Sequence, residues 1–136
     1  MKRLLLVCFL TFLGATTALS GERVVNVFNW SDYIDPTVLE DFTRETGVKV
    51  VYDTYDSNEM LEARLLAGDT GYDVVVPSAT FLQREIAAGV LQPIDRSKLV
   101  NARNIWPEID SRLARFDPGN RHAINYMWYT TGVAYD

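Results

Sequence analysis

The sequence predicts an α/β domain built on an open, doubly wound, mostly parallel sheet. Three observations point there. Strand-like and helix-like runs alternate from Val24 onward. The stretches between successive strands are long enough for the crossovers that parallel pairing requires. The strand runs are almost continuously apolar, as expected for a sheet covered on both faces.

Val24 to Phe28 is β-branched and apolar and reads as the first strand. Asp35-Pro36 follows, an N-cap residue before a proline at the first helical position. Val38, Leu39 and Phe42 share one helical face, and Gly47 stands where a C-terminal cap belongs. Lys49 to Tyr55 reads as the second strand. Ser57 caps a second helix carrying Met60, Leu61 and Leu65, and Gly68 ends it. Tyr72 to Val76 reads as the third strand. Ser78 then caps a helix with Phe81, Leu82 and Ile86, stopping near Gly89. Pro93, Pro107 and Pro118 interrupt the next stretch, where short helices are expected around Ser97 and from Pro107 to Arg115. His122 to Trp128 reads as a further strand, continued after a bend by Thr130 to Tyr135.

Residues 1–20 stand apart from this domain. Lys2 and Arg3 precede an apolar run from Leu4 to about Ala15, and Ala18 and Ser20 occupy the −3 and −1 positions of a cleavage site before Gly21. This is the pattern of a secretory signal peptide, and the run is short for a membrane span. A lipidated Cys8 is disfavoured by the bulky Val7 before it. Residues 21–136 are then the folded domain. Removing Lys2 and Arg3 from the 13 basic residues leaves 11 against 18 acidic ones, a net charge of −7. An acidic chain without a basic cluster speaks against nucleic acid and anionic membranes as partners. Cys8 is the only cysteine, so the domain has neither disulfide nor thiol chemistry.

Enzyme signatures are missing from the sequence. It has no G-x-S-x-G elbow, no P-loop and no G-x-G-x-x-G after a strand. His122 is the only histidine, too few for a zinc cluster, and reads as a strand-edge or surface residue. Acidic pairs such as Asp53 and Asp56 read as solvated. No catalytic residue, metal or cofactor is expected.

In an open α/β sheet the ligand crevice lies beyond the carboxyl ends of the strands. Two segments qualify, Asn29-Trp30-Ser31-Asp32-Tyr33 and Pro77-Ser78-Ala79-Thr80-Phe81. The first puts two aromatic rings and a carboxylate within four residues, a set suited to an alkylammonium group through cation–π attraction and a charge-assisted hydrogen bond. Ser31 and Ser78 add hydroxyl acceptors. The plain alternatives are a core Trp30, a loop-capping Asp32, and a Ser78 that only caps its helix or helps hold an anion.

The stretch Val27-Phe28-Asn29-Trp30-Ser31-Asp32-Tyr33-Ile34 resembles the opening strand and pocket loop of the periplasmic spermidine/putrescine-binding proteins of ABC transporters. Glu45 to Asp53, Asp56-Ser57-Asn58-Glu59, Leu66-Ala67-Gly68, Tyr72 to Ala79, Ala88 to Pro93 and Tyr126 to Gly132 agree in order and spacing. The likeness is strongest to the putrescine-preferring branch. It implies one lobe of a periplasmic-binding-protein type II fold, in proteins more than twice as long that close around a ligand and dock on a membrane permease. By the same resemblance Trp30 and Tyr33 are aromatic walls, Asp32 pairs with an ammonium, and Ser31 and Ser78 contact the ligand. Asn125 departs from the family, which more often has proline before the Tyr-Met-Trp run. Residues 21–136 are thus expected to be the N-terminal lobe of a monomeric, periplasmic polyamine-binding protein, with the second lobe missing. A binder of another solute, or a ligand sensor, is the alternative.

Overall fold

The computed structural model describes residues 21–135; the expected signal peptide lies outside the described residues. Strand β1 (Arg23–Trp30) is central, flanked by β2 (Val48–Tyr55) and β3 (Val74–Val75) in the order β2-β1-β3, all parallel. Helix α1 (Pro36–Thr46) connects β1 to β2, and α2 (Asn58–Ala67) connects β2 to β3. Helix α3 (Ala79–Ala87) follows β3. Two short 3-10 turns, Arg96–Lys98 and Val100–Asn104, then lead to α4 (Pro107–Leu113). The chain moves outward from β1 in both directions, which is the doubly wound topology expected.

Local chemistry fixes the helix ends. The Asp35 side chain accepts from the Thr37 backbone N–H at 2.9 Å, and this bond holds its carboxyl below the usual carboxylate range. Gly47 closes α1 with φ 66°, a left-handed conformation that glycine adopts without strain, and its N–H reaches Thr43 O at 2.9 Å. The Ser57 hydroxyl accepts from Met60 N at 3.2 Å.

The core sits on one face of the sheet. Phe28, Tyr55, Leu61 and Leu65 are buried together, with Trp30, Tyr72, Val75, Val90 and Leu91 packed around them. The rings of Phe28 and Tyr72 stack at 4.5 Å, and Tyr55 meets Phe28 edge-on at 4.8 Å.

The opposite face departs from expectation, because the sheet is not covered on both sides. α1 has no buried residue, and Val38 and Phe42 remain 51% and 43% exposed. An open cavity of about 1570 Å³ has among its lining residues Val25, Val27, Val50 and Tyr52 of the sheet and Val38, Leu39 and Phe42 of α1, with Ile109 and Phe116. Three strand expectations also change. β3 has only two residues instead of Tyr72 to Val76; among the described residues its ladder partner is β1, and the Asp73 side chain accepts from Asn26 N beside it. His122 to Trp128 and Thr130 to Tyr135 form no strand, since no described neighbour supplies a ladder.

The irregular segment has its own anchor. The Asp117 carboxylate is fully buried and accepts from the backbone N–H groups of His122 at 2.6 Å and Ala123 at 3.0 Å, with the His122 ring Nδ1 at 3.0 Å. Burial opposes its charge, but these donors prevail and hold its carboxyl below the usual range. His122 is therefore a partly buried partner of this anchor and not the surface or strand-edge residue expected.

Candidate functional site

The carboxyl ends of β1 and β3 lie side by side, because Phe28 of β1 pairs with Val75 of β3. Trp30 closes β1. Its indole Nε1 donates to Val76 O at 2.9 Å, which ties the loop after β1 to the loop after β3. The Tyr55 hydroxyl donates to the same carbonyl. One flank of the indole meets Tyr55 at 4.8 Å between centroids, and Tyr33 lies at 5.9 Å with the planes 30° apart. Trp30 is thus half core and half wall: its nitrogen and one flank are committed inward, while Tyr33 remains 40% exposed beside it. The Tyr126 hydroxyl donates to Tyr33 O and steadies that loop.

Asp32 is exposed and takes φ 59°, in the left-handed region that aspartate tolerates better than most residues. Ser31 is exposed too, and its hydroxyl donates to Asp56 Oδ1 at 3.0 Å. Asp56 is therefore hydrogen-bonded into the candidate loop. Asp53 is likewise engaged, accepting from the Tyr72 hydroxyl at 2.9 Å. Neither is merely solvated, contrary to expectation.

Ser78 occupies the N-cap position of α3 with an extended backbone, yet its side chain makes no capping hydrogen bond. The hydroxyl accepts instead from Asn58 Nδ2 at 3.0 Å, while Asn58 Oδ1 accepts from Ser78 N at 2.9 Å. Trp30, Tyr33, Asn58 and Ser78 line one end of the opening on the sheet, and Ser31 and Asp32 stand on the exposed loop beside it. The opening as a whole exceeds the roughly 300–1,000 Å³ of a small-molecule pocket, and most of its lining comes from helices and loops. The end framed by these four residues is the part with convergent polar and aromatic groups. Among the described residues, no group of three or more His, Cys, Asp or Glu is placed to hold a metal.

Sequence reasoning singled out Trp30, Ser31, Asp32, Tyr33 and Ser78 but missed Asn58 and Asp56. Both flank Ser57, at the start of a helix that follows a strand end, within the stretch Asp56-Ser57-Asn58-Glu59 that carries part of the family resemblance.

Comparison with known proteins gives consistent relatives. A family model described as a hypothetical lipoprotein (MG045 family) matches residues 1–106. The putrescine-binding periplasmic protein SpuD of Pseudomonas aeruginosa is 55% identical over 130 residues, covering 93% of this chain and 35% of its own length. The putrescine-binding periplasmic protein PotF of Escherichia coli is 51% identical over 120 residues, covering 88% and 32%. Among solved structures, the spermidine/putrescine ABC transporter substrate-binding protein PotD of Streptococcus pneumoniae superposes with TM-score 0.72 at 41% identity, over 76% of this chain and 32% of that one. The Tp0655 (TpPotD) lipoprotein of Treponema pallidum gives TM-score 0.72 at 36% identity over the same shares. The chain spans about a third of the length of the curated relatives it matches. SpuD, PotF and the Streptococcus pneumoniae PotD are binding proteins, and the described residues have the α/β fold of the corresponding part of the solved structures.

Proposed function

Given that the chain belongs to the family described as hypothetical lipoproteins (MG045 family) and is related to periplasmic putrescine- and spermidine-binding proteins, we propose that it forms one side of a polyamine site. The site serves delivery of the ligand to an ABC permease. The observation that carries this reading is the junction of the β1 and β3 ends. There Trp30 and Tyr33 offer ring faces, and Ser78 is released from capping its own helix. The ligand's methylenes lie along Tyr33 and the outer edge of Trp30. One ammonium pairs with Asp32, and Ser31 and Ser78 contribute hydroxyl oxygens. The net negative charge favours a dication at longer range. Lys2, Arg3 and the apolar run after them support export to the periplasm.

A site with one side open to water holds a flexible diamine weakly, because the far ammonium stays unpaired. The relatives' greater length supports a second lobe that supplies the missing contacts. Putrescine titrated into this chain, followed by backbone-amide NMR, is expected to give a millimolar dissociation constant, about 4 kcal/mol of binding. A micromolar value would remove the need for a second lobe. Asp32→Asn is expected to weaken binding about tenfold, the loss of one hydrogen bond to a charged group. An unchanged constant would take Asp32 out of the site.

A further inference from the structure

We propose that Asn58 is the positioning residue of this site and acts through Ser78. The inference rests on the polyamine reading above and extends it to a residue that does not itself touch the ligand.

The hydrogen-bond pattern leaves no freedom in how the Asn58 amide is turned. The Ser78 backbone N–H can only donate, so the group 2.9 Å from it must be the amide oxygen Oδ1. The amide nitrogen Nδ2 then faces the Ser78 hydroxyl at 3.0 Å, and that oxygen must accept. One lone pair of Ser78 Oγ is committed to Asn58. The second remains for a ligand N–H.

Three consequences follow. The hydroxyl is held in one rotamer, so the ordering cost is met before a ligand arrives. The same two bonds hold Ser78 in an arrangement in which its side chain makes no capping hydrogen bond to α3. They also staple the first residue of α2 to the residue preceding α3. The loop after β2 and the loop after β3 therefore move as one piece, with Val76 O fixed beside them by Trp30 and Tyr55. The pair is partly shielded from water, where such bonds persist better than on an open surface.

The test is a double-substitution cycle read by putrescine titration with NMR detection on the full chain, using Asn58→Ala, Ser78→Ala and both together. Each single change is expected to weaken binding about fivefold, the worth of one ordinary hydrogen bond. The double variant is expected to be no weaker than Ser78→Ala alone, because Asn58 acts only through that hydroxyl. Additive losses, or no loss with Asn58→Ala, would overturn the proposal. Hydrogen exchange of the Ser78 amide gives a reading that needs no ligand. It is expected to speed up about fivefold in Asn58→Ala, the loss of one ordinary hydrogen bond, while the Leu61 and Leu65 amides keep their protection. An unchanged Ser78 amide would overturn the positioning role whether or not putrescine binds. Failure of the unsubstituted chain to bind putrescine, with Ser78 exchange behaving as expected, would sink the polyamine reading alone.

Discussion

Glu85 lies on α3 with no exposed surface, and neither of its carboxylate oxygens has a hydrogen-bond partner among the described residues. Burial, and then the neighbouring Glu62 charge, push its carboxyl up from 4.5 to about 7, while Arg84 pulls the other way. Arg84 is itself paired with Glu62, so it does not neutralise Glu85 directly. The buried Tyr55 hydroxyl nearby is also raised, by burial first and the Glu85 charge second. A carboxyl raised in the folded state favours folding while it is protonated. That contribution is complete below the unfolded value of 4.5 and is lost as pH rises through about 7. Thermal unfolding is therefore expected to show a falling midpoint between pH 5 and pH 8, at up to about 1.4 kcal/mol per pH unit from this group. Glu85→Gln is expected to flatten that dependence and to stabilise the chain at pH 8. A midpoint with the same pH profile in both proteins would contradict it. Glu85 was not legible beforehand, because on a helical wheel it is one more charged residue. Only the packing of α3 reveals that it points inward. The positions of Trp30, Asp32 and Ser78 beside strand ends were legible, because apolar runs mark those ends. Asn58 and Asp56 act across the fold on residues 20 and 25 positions away, which no local pattern encodes.

The regular elements were legible in proportion to how much of their order is local. α1 and α2 carry their own caps in Asp35, Gly47 and Ser57, and both run as expected. β1 and β2 pair along eight residues and were read to within two residues at their ends. β3 fell short, and His122 to Tyr135 gained no ladder, because a strand's length depends on neighbours and not on its own composition. α1 shows the same limit from the other side. Its apolar face is well formed, but Val38 and Phe42 stay largely in water at the cavity. Backbone hydrogen exchange is expected to rank the elements accordingly: slowest in β1 and in α2, whose Leu61 and Leu65 are buried, faster in α1, and unprotected over 126–135. Protection in α1 equal to that in α2 would mean that the face above the sheet is closed in solution.

The molecule is lopsided. One side of the sheet holds a compact aromatic and leucine core, and the other is bordered by Tyr126, Met127, Trp128 and Tyr129, each about half exposed or more. The chain spans about a third of the length of its curated relatives. What the fold does supply is a junction of two strand ends, two rings, a carboxylate on an exposed loop and a serine held by an amide. Whether this junction selects charge or merely apolar length is decided by comparing putrescine with 1,4-butanediol. The two have equal carbon chains but ammonium or hydroxyl ends. Each is titrated while the Trp30 indole N–H and the Ser78 amide are followed by NMR. The expected result is saturable shifts at both signals with putrescine, weakening as salt rises, and none with the diol. Equal responses to the two ligands, or no saturable response to putrescine, would contradict a cation site at this junction.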